Sequence, residues 1–326
     1  MKGMGAMTCQ EWLKAAEQRL NLEGSTTPRL DAEVLLAHVL QVERIRLHMY
    51  PERLLSAEEM QQVSRLVERR LHQEPVAYII ESQEFMGFDF HVNPAVLIPR
   101  PETELLVEQV VCWLNRKASD KTTGEQLRAK DNDTMITCSL RGADIGTGSG
   151  CIAVSLAKLV PEIMMLAVDL SPAALEVAAE NIRRHQLTHR VTPLGGDLLA
   201  PVASYLENRA LPQCGHDGGG SLDFIVSNPP YINEKDMEAL SPSVAAFEPE
   251  TALAGGADGL DYYRRLAAES PRLLCPGGLL ALEIGYDQGS AVVRFLEEQG
   301  FMEVKCLPDL AGIDRVVMGI RPGAAE

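Results

Sequence analysis

Leu140-Arg141-Gly142-Ala143-Asp144-Ile145-Gly146-Thr147-Gly148-Ser149-Gly150 is the stretch on which the fold turns. Leu140 to Ile145 reads as a strand, and the apolar run from Cys151 to Val160 reads as a helix. Between them glycine stands at every second position. Glycines there let a ligand approach the backbone closely, and the helix start offers free amide donors. The loop predicts a nucleotide-like ligand, although glycine-rich turns also serve dehydrogenases or simply reverse the chain.

Apolar strands go on alternating with helices downstream: Ile163 to Leu170, then Pro172 to His185, then Arg190 to Asp197. Further on come the strand Leu222 to Ser227, a helix near Tyr262 to Leu274, the strand Leu279 to Ile284 and a helix near Gln288 to Gln299. This alternation predicts parallel strands joined by crossover helices, an α/β fold. Two closing strand candidates, Phe301 to Leu307 and Asp314 to Ile320, are separated by a short turn and predict an antiparallel ending.

The second strand ends at Asp169, where a carboxylate can accept both hydroxyls of a ribose, and Asp197 ends the third within reach of an adenine edge. Taken singly, each aspartate could be a solvated strand end or a helix cap. Asp144 separates the candidate cofactors. A carboxylate two residues before the first glycine opposes a pyrophosphate but suits a cationic methionine moiety. The spacing of Gly146, Gly148 and Gly150 also departs from the dinucleotide pattern. Both features point to S-adenosylmethionine.

Asn228-Pro229-Pro230-Tyr231 follows the apolar strand Leu222 to Ser227, at the ligand-facing edge of the sheet. Two consecutive prolines fix φ and donate no hydrogen bonds, so the peptide is rigid and its carbonyls are free to accept. Asn228 supplies a side-chain carbonyl, Pro229 a backbone carbonyl and Tyr231 a flat wall. Two acceptors gripping the hydrogens of an amide would hold that poor nucleophile in line with a methyl donor. Pro-Pro can also simply end a strand. Its occurrence after the glycine loop, in one chain and in this order, favours the chemical reading.

The N-terminal region differs. Thr8-Cys9-Gln10-Glu11 and Ser56-Ala57-Glu58-Glu59 have the spacing of helix-starting capping boxes, and Pro28 suits a first helical position. Residues 1–75 therefore read as a small helical domain. Residues 76–100, aromatic and β-branched around Met86-Gly87, read as a hairpin connector to the domain at 101–326. The polar stretch 117–133 and the Gly/Cys/His-rich stretch within 208–221 read as insertions.

The 326 residues are 46% hydrophobic and 23% charged, the balance of a soluble globular protein. No apolar run reaches the length of a membrane span, and the first residues lack a secretory signal, which predicts a cytoplasmic protein. Seven cysteines without a CxxC pair fit neither a disulfide framework nor a zinc site and are expected to be reduced. A net charge of -16 would repel a phosphate backbone, so a protein partner is favoured over nucleic acid.

The two motifs together resemble those of the HemK-type protein-(glutamine-N5) methyltransferases. Similar segments lie at residues 88–108, at Phe247-Glu248-Pro249 with Thr251-Ala252-Leu253, at Asp258-Gly259-Leu260 with Tyr262-Tyr263, and from Asp309 to Val317. Within the group, Pro99-Arg100-Pro101-Glu102-Thr103-Glu104 resembles the enzymes that act on peptide chain release factors. The resemblance implies a Rossmann-like domain with a mostly parallel seven-stranded sheet and an antiparallel last strand, preceded by a helical domain that helps grip the release factor. It implies methylation of the glutamine of a Gly-Gly-Gln motif, and a monomer is expected. Cofactor would contact Asp144, Gly146, Thr147, Gly148, Ser149, Gly150, Asp169, Asp197, Leu198 and Asn228, and the substrate amide would contact Asn228 to Tyr231. The chain departs from the family pattern at Leu198, where some relatives carry an aromatic, and at Gln73 and Glu81, where glycine is frequent. An adenine-N6 methyltransferase of nucleic acid and a non-catalytic binding module are the alternative readings.

Overall fold

The computed structural model describes residues 7–121, 140–208 and 220–323. By its contacts the chain divides into two compact units. One runs up to Ser82 and includes Ser241–Glu248; the other comprises Gln83–Leu240 and Pro249 onward.

In the first unit the caps behave as the sequence spacing demands. α1 (Cys9–Leu22) opens on Thr8, whose N–H donates to Glu11 Oε2 at 2.9 Å while its hydroxyl accepts the Glu11 N–H at 3.3 Å. α2 (Pro28–Leu40) begins on its proline. α3 (Arg44–Met49) follows, and α4 (Ala57–Leu71) opens on the reciprocal Ser56–Glu59 pair. α5 (Val76–Ile80) ends the series, and β1 (Met7–Thr8) pairs with β2 (Leu54–Leu55). Helices α3 and α5 were not expected from the sequence, because five or six residues are too few to show a helical period. Trp12, Leu13, Leu35, Leu36, Val63 and Val67 form the core of this unit. Gln73 and Glu81 sit at φ 69° and 55°, a conformation costing a side-chain residue about 1–2 kcal/mol. Glycine, having no Cβ, would adopt this backbone without that cost.

β3 (Ser82–Phe85) and β4 (Phe88–His91) form a two-stranded sheet turned at Met86-Gly87, both with positive φ, as a tight hairpin turn requires. Next come α6 (Pro101–Lys121), β5 (Leu140–Ile145), α7 (Cys151–Leu159), β6 (Ile163–Asp169), α8 (Pro172–Arg184) and β7 (Val191–Gly195). α9 (Ala200–Asn208), β8 (Leu222–Ser227) and the short α10 (Glu234–Met237) and α11 (Pro242–Ala245) follow. The chain closes with α12 (Asp261–Glu269), β9 (Leu274–Glu283), α13 (Gly289–Glu298), β10 (Met302–Pro308) and β11 (Asp314–Ile320). Of the two insertions, residues 122–133 and 209–219 lie outside the described residues.

Seven strands make one sheet in the order β10-β11-β9-β8-β5-β6-β7. β5 pairs in parallel with β6 and with β8, and β11 is antiparallel to both β9 and β10. Strand β8 is buried at every position, as a central strand covered on both faces must be. Phe224 and Val226 pack with Leu106, Val110 and Ile152 on one face; Ile225 and Leu280 pack with Tyr263, Leu266 and Val292 on the other. The chain leaves β5 toward β6 and β7, then returns to β8 and continues to β9. The order therefore reverses between β5 and β8, and the loops at their carboxyl ends part to leave a crevice.

Cys9, Cys112, Cys151 and Cys306 are free thiols, but Cys275 is disulfide-bonded, against the expectation of uniformly reduced cysteines. Among the described residues no helix is long and apolar enough to cross a membrane.

Candidate functional site

The crevice is a cavity of about 340 Å³. Register sets its floor: Ile145 lies opposite Ser227, so Gly146 and Asn228 leave adjacent strands side by side. Gly146, Thr147, Gly148, Ser149, Asp169, Asp197, Leu198, Asn228, Pro229 and Pro230 all line the cavity. The loop after β5 keeps its glycines at φ 72°, 54° and 80°, and a Cβ at Gly148 would meet no atom within 4 Å. Its N–H groups are tied locally, Gly150 to the Thr147 carbonyl at 2.8 Å and Thr147 to the Val168 carbonyl at 2.8 Å.

Three expected residues stand outside the lining. Gly150 serves as the N-cap of α7. Tyr231 packs beside the core, and burial raises its phenol above the usual range. Asp144 is fully buried under the loop, where its Oδ2 accepts the Thr147 hydroxyl at 2.6 Å and the Ala153 N–H at 3.2 Å. Burial pushes the Asp144 carboxyl up to about 7 against the lowering effect of those bonds, and Oδ1 has no hydrogen-bond partner.

Asp169 caps β6 and spends part of its carboxylate on the protein. Oδ2 accepts the Gly148 N–H at 2.8 Å and Oδ1 the Ser171 N–H at 2.9 Å. A carboxylate has about four acceptor sites, so capacity for a ribose remains. Asp197 is held by Arg265 at two points, 3.2 and 2.7 Å. Both partners are about half exposed, and such a pair contributes little stability. Leu198 reaches the cavity from φ 45°. An orphaned carboxylate oxygen under the loop, a second carboxylate at the next strand end and an open glycine backbone together suit a cationic ligand carrying a ribose. S-adenosylmethionine fits that description.

The segments noticed only for their family likeness also come to the cavity. Pro99, Arg100 and Thr103 line it from the connector and the start of α6, and Pro249, Thr251, Ala252 and Tyr262 from the region after β8. Thr103, quoted from the sequence only as part of a family-like segment, and two groups that the sequence did not mark, Gln288 and Glu283, surround the Asn228 loop. Asn228 Nδ2 donates to the Thr103 hydroxyl at 3.1 Å. Gln288 Nε2 donates to the carbonyls of Tyr231 at 2.9 Å and Gly259 at 3.2 Å while its Oε1 accepts the Gly285 N–H at 3.0 Å. Glu283, 3% exposed at the end of β9, lies beside Thr103 and Asn228, and burial pushes its carboxyl up to about 7 against the lowering influence of those two groups. In the sequence Glu283 and Gln288 look like a strand end and a helix start, so nothing local marks them.

Residues 11–80 match the PrmC N-terminal domain family and residues 126–245 the methyltransferase small domain family. The chain is 42% identical over 316 residues to a release factor glutamine methyltransferase of Moorella thermoacetica, covering 97% of this chain and 99% of that protein. It is 39% identical over 297 residues to the one of Geobacter sulfurreducens, 91% of each. The solved protein-(glutamine-N5) methyltransferase (release factor-specific) of Alicyclobacillus acidocaldarius is 33% identical, with a TM-score of 0.39 over 72% of this chain and 99% of that one. The extent of these sequence matches shows that the chain belongs to the release factor glutamine methyltransferase family.

Proposed function

We propose that the protein transfers a methyl group from S-adenosylmethionine to the side-chain amide nitrogen (N5) of the glutamine in the Gly-Gly-Gln motif of peptide chain release factors. The observation that carries this reading is the convergence of the glycine loop and Asn228-Pro229-Pro230 on one cavity. Family membership supplies the substrate class.

When bound, S-adenosylmethionine supplies an electrophilic methyl group on a sulfonium. Gly146 to Ser149 would pass along it, Asp169 would take the ribose hydroxyls, Asp197 and Leu198 would meet the adenine, and Asp144 would balance the positive charge from beneath. Asn228 Oδ1 and the Pro229 carbonyl accept the two amide hydrogens of the glutamine. This grip keeps the nitrogen lone pair, weakened by delocalisation into its own carbonyl, pointed at the donor. Orientation by fixed acceptors does most of the work, and no strong base is needed before attack: as the N–C bond formed and the S–C bond broke, the nitrogen would become acidic and its proton would pass along its hydrogen bond to the carbonyl acceptor and out to solvent. Tyr231 contributes by fixing the end of the Pro-Pro segment. The helical domain, residues 1–75, serves substrate recognition, since the motifs assigned to the cofactor lie beyond it. In this reading the protein works as a monomer in the cytoplasm beside the translation machinery, and its net charge of -16 favours a protein substrate over nucleic acid.

Methyl-label transfer tests the reading, with a release factor and duplex DNA offered in parallel. Label on the release factor alone is expected, and label on DNA alone would overturn it. Asn228→Ala leaves one substrate N–H without an acceptor in a closed site, so single-turnover transfer should fall by about tenfold to several hundredfold with the fold intact. A wild-type rate would remove Asn228 from the mechanism.

A further inference from the structure

An asparagine amide has two ends of nearly equal shape, and only one can hold the substrate's hydrogens. If Asn228 turned its NH2 toward the glutamine amide, donor would face donor. Something must therefore fix which end points into the cavity. Asn228 leaves β8 and Thr103 lies in the first turn of α6, with Nδ2 and the hydroxyl 3.1 Å apart. Glu283 is brought beside both by the β8–β9 register, in which Ser227 faces Leu282. The three side chains come from three elements, and Thr103 and Glu283 are each 3% exposed.

We propose that Glu283, acting through Thr103, is the positioning residue that fixes the amide of Asn228 with its carbonyl toward the substrate. The proposal rests on Asn228 being the acceptor for the substrate amide, as argued above. An ionised carboxylate only accepts hydrogen bonds, and a threonine hydroxyl has one proton to give. Once the Thr103 O–H is directed at Glu283 as a hydrogen-bond donor, its oxygen can only accept from Asn228. The NH2 end is thereby drawn away from the cavity, and Oδ1 is left for the glutamine. The Asn228 amide also lowers the Glu283 carboxyl, an attraction between its NH2 end and the carboxylate that pulls in the same sense. Its Oε2 has no hydrogen-bond partner, so the carboxylate is not spent on a competing structural contact there.

Protonation reverses the chain of donors. A neutral Glu283 can donate to Thr103, whose proton then turns to Asn228 and favours the flipped amide. The carboxyl is pushed up to about 7, chiefly by burial, with Glu102 on α6 raising it and Arg315 on β11 lowering it. Tyr231 and Tyr263 also face it, and both phenols are raised by burial, so they stay neutral here. Transfer should accordingly fall on the acid side of about pH 7.

Glu283→Gln is the decisive variant, since its amide can donate to Thr103 and permits the reversed network. With cofactor saturating, single-turnover transfer to a release factor should drop at least about tenfold, cofactor affinity should stay within about twofold, and the acid limb near pH 7 should vanish. Thr103→Val should lower the rate likewise, and Thr103→Ser should restore it to within about threefold of wild type. An independent readout is the side-chain amide signal of Asn228 in 15N-labelled protein without cofactor. Its exchange with solvent should quicken in Glu283→Gln and Thr103→Val and recover in Thr103→Ser. A wild-type rate and pH profile in Glu283→Gln, or an unaltered Asn228 signal in both variants, would overturn the proposal. Should wild-type protein methylate no release factor, the functional reading fails while the amide signal still decides the orientation.

Discussion

The loops after β5 and β8 do the same geometric job, each turning the chain at the crevice, yet they are held in opposite ways. Gly146 to Gly150 keep their shape through their own positive φ angles and bonds to neighbours in sequence or on the adjoining strand, such as Thr147 to Val168. Asn228 to Tyr231 depend on distant partners: Thr103 lies 125 residues away and Gln288 57. Gly255 and Gly259 press against the same segment, where a Cβ at Gly255 would stand 2.8 Å from the Pro230 carbonyl oxygen. A loop that only lets a ligand pass close along its backbone needs only the right backbone. A loop that must aim one side-chain carbonyl needs walls around it.

The contrast is most directly broken by adding one methyl group on each side. Gly259→Ala would put a Cβ 2.3 Å from the Tyr231 carbonyl oxygen at φ 75°, and the backbone it meets cannot simply rotate away. Unfolding in urea should show a loss of about 2–4 kcal/mol, and single-turnover transfer should fall about a hundredfold. Gly148→Ala meets nothing within 4 Å, so only the backbone strain of about 1–2 kcal/mol is expected. Equal destabilisation by the two would end the distinction between a self-supporting and a walled loop.

Asp169 probes the link between the glycine loop and the next strand. Asp169→Ala should weaken S-adenosylmethionine binding by about 1.5–3 kcal/mol, the range for hydrogen bonds to a charged group, and it also frees the Gly148 N–H. Calorimetry showing unchanged affinity would take Asp169 out of the site and leave it as a loop anchor.

Asp144 under the same loop adds a dependence on pH. Its folded-state carboxyl is raised from 3.8 to about 7, so the folded protein holds a proton that the unfolded chain has already released. Stability should therefore fall as pH rises between these values, with the full penalty present above about 7. Asp144→Asn removes that slope. Calorimetric melting at pH 8 should place the variant a few degrees above wild type, with the gap shrinking toward pH 4. A constant gap would mean that the buried carboxylate does not titrate in this window.

Gly146 to Gly150, the Asn-Pro-Pro-Tyr segment, the alternation of strands and helices and both capping boxes were legible in the sequence, because each is written within a few consecutive residues. Local φ preferences and bonds across three or four positions depend little on what the rest of the chain does. The five- and six-residue helices were not, since so short a segment carries no period and is made by the packing around it. Gln73 and Glu81 stood out only as departures from a glycine pattern; their positive φ supplies the reason.

The sequence by itself determined that a glycine loop and a rigid acceptor peptide each follow a strand. Only the tertiary structure decided that those strands are β5 and β8, side by side at the point where the sheet order reverses. It also decided that Thr103, Glu283 and Gln288 stand around Asn228-Pro229-Pro230-Tyr231. Which end of an amide faces a cavity depends on donors and acceptors brought from other elements, and those are chosen by sheet order and register rather than by any neighbouring residue.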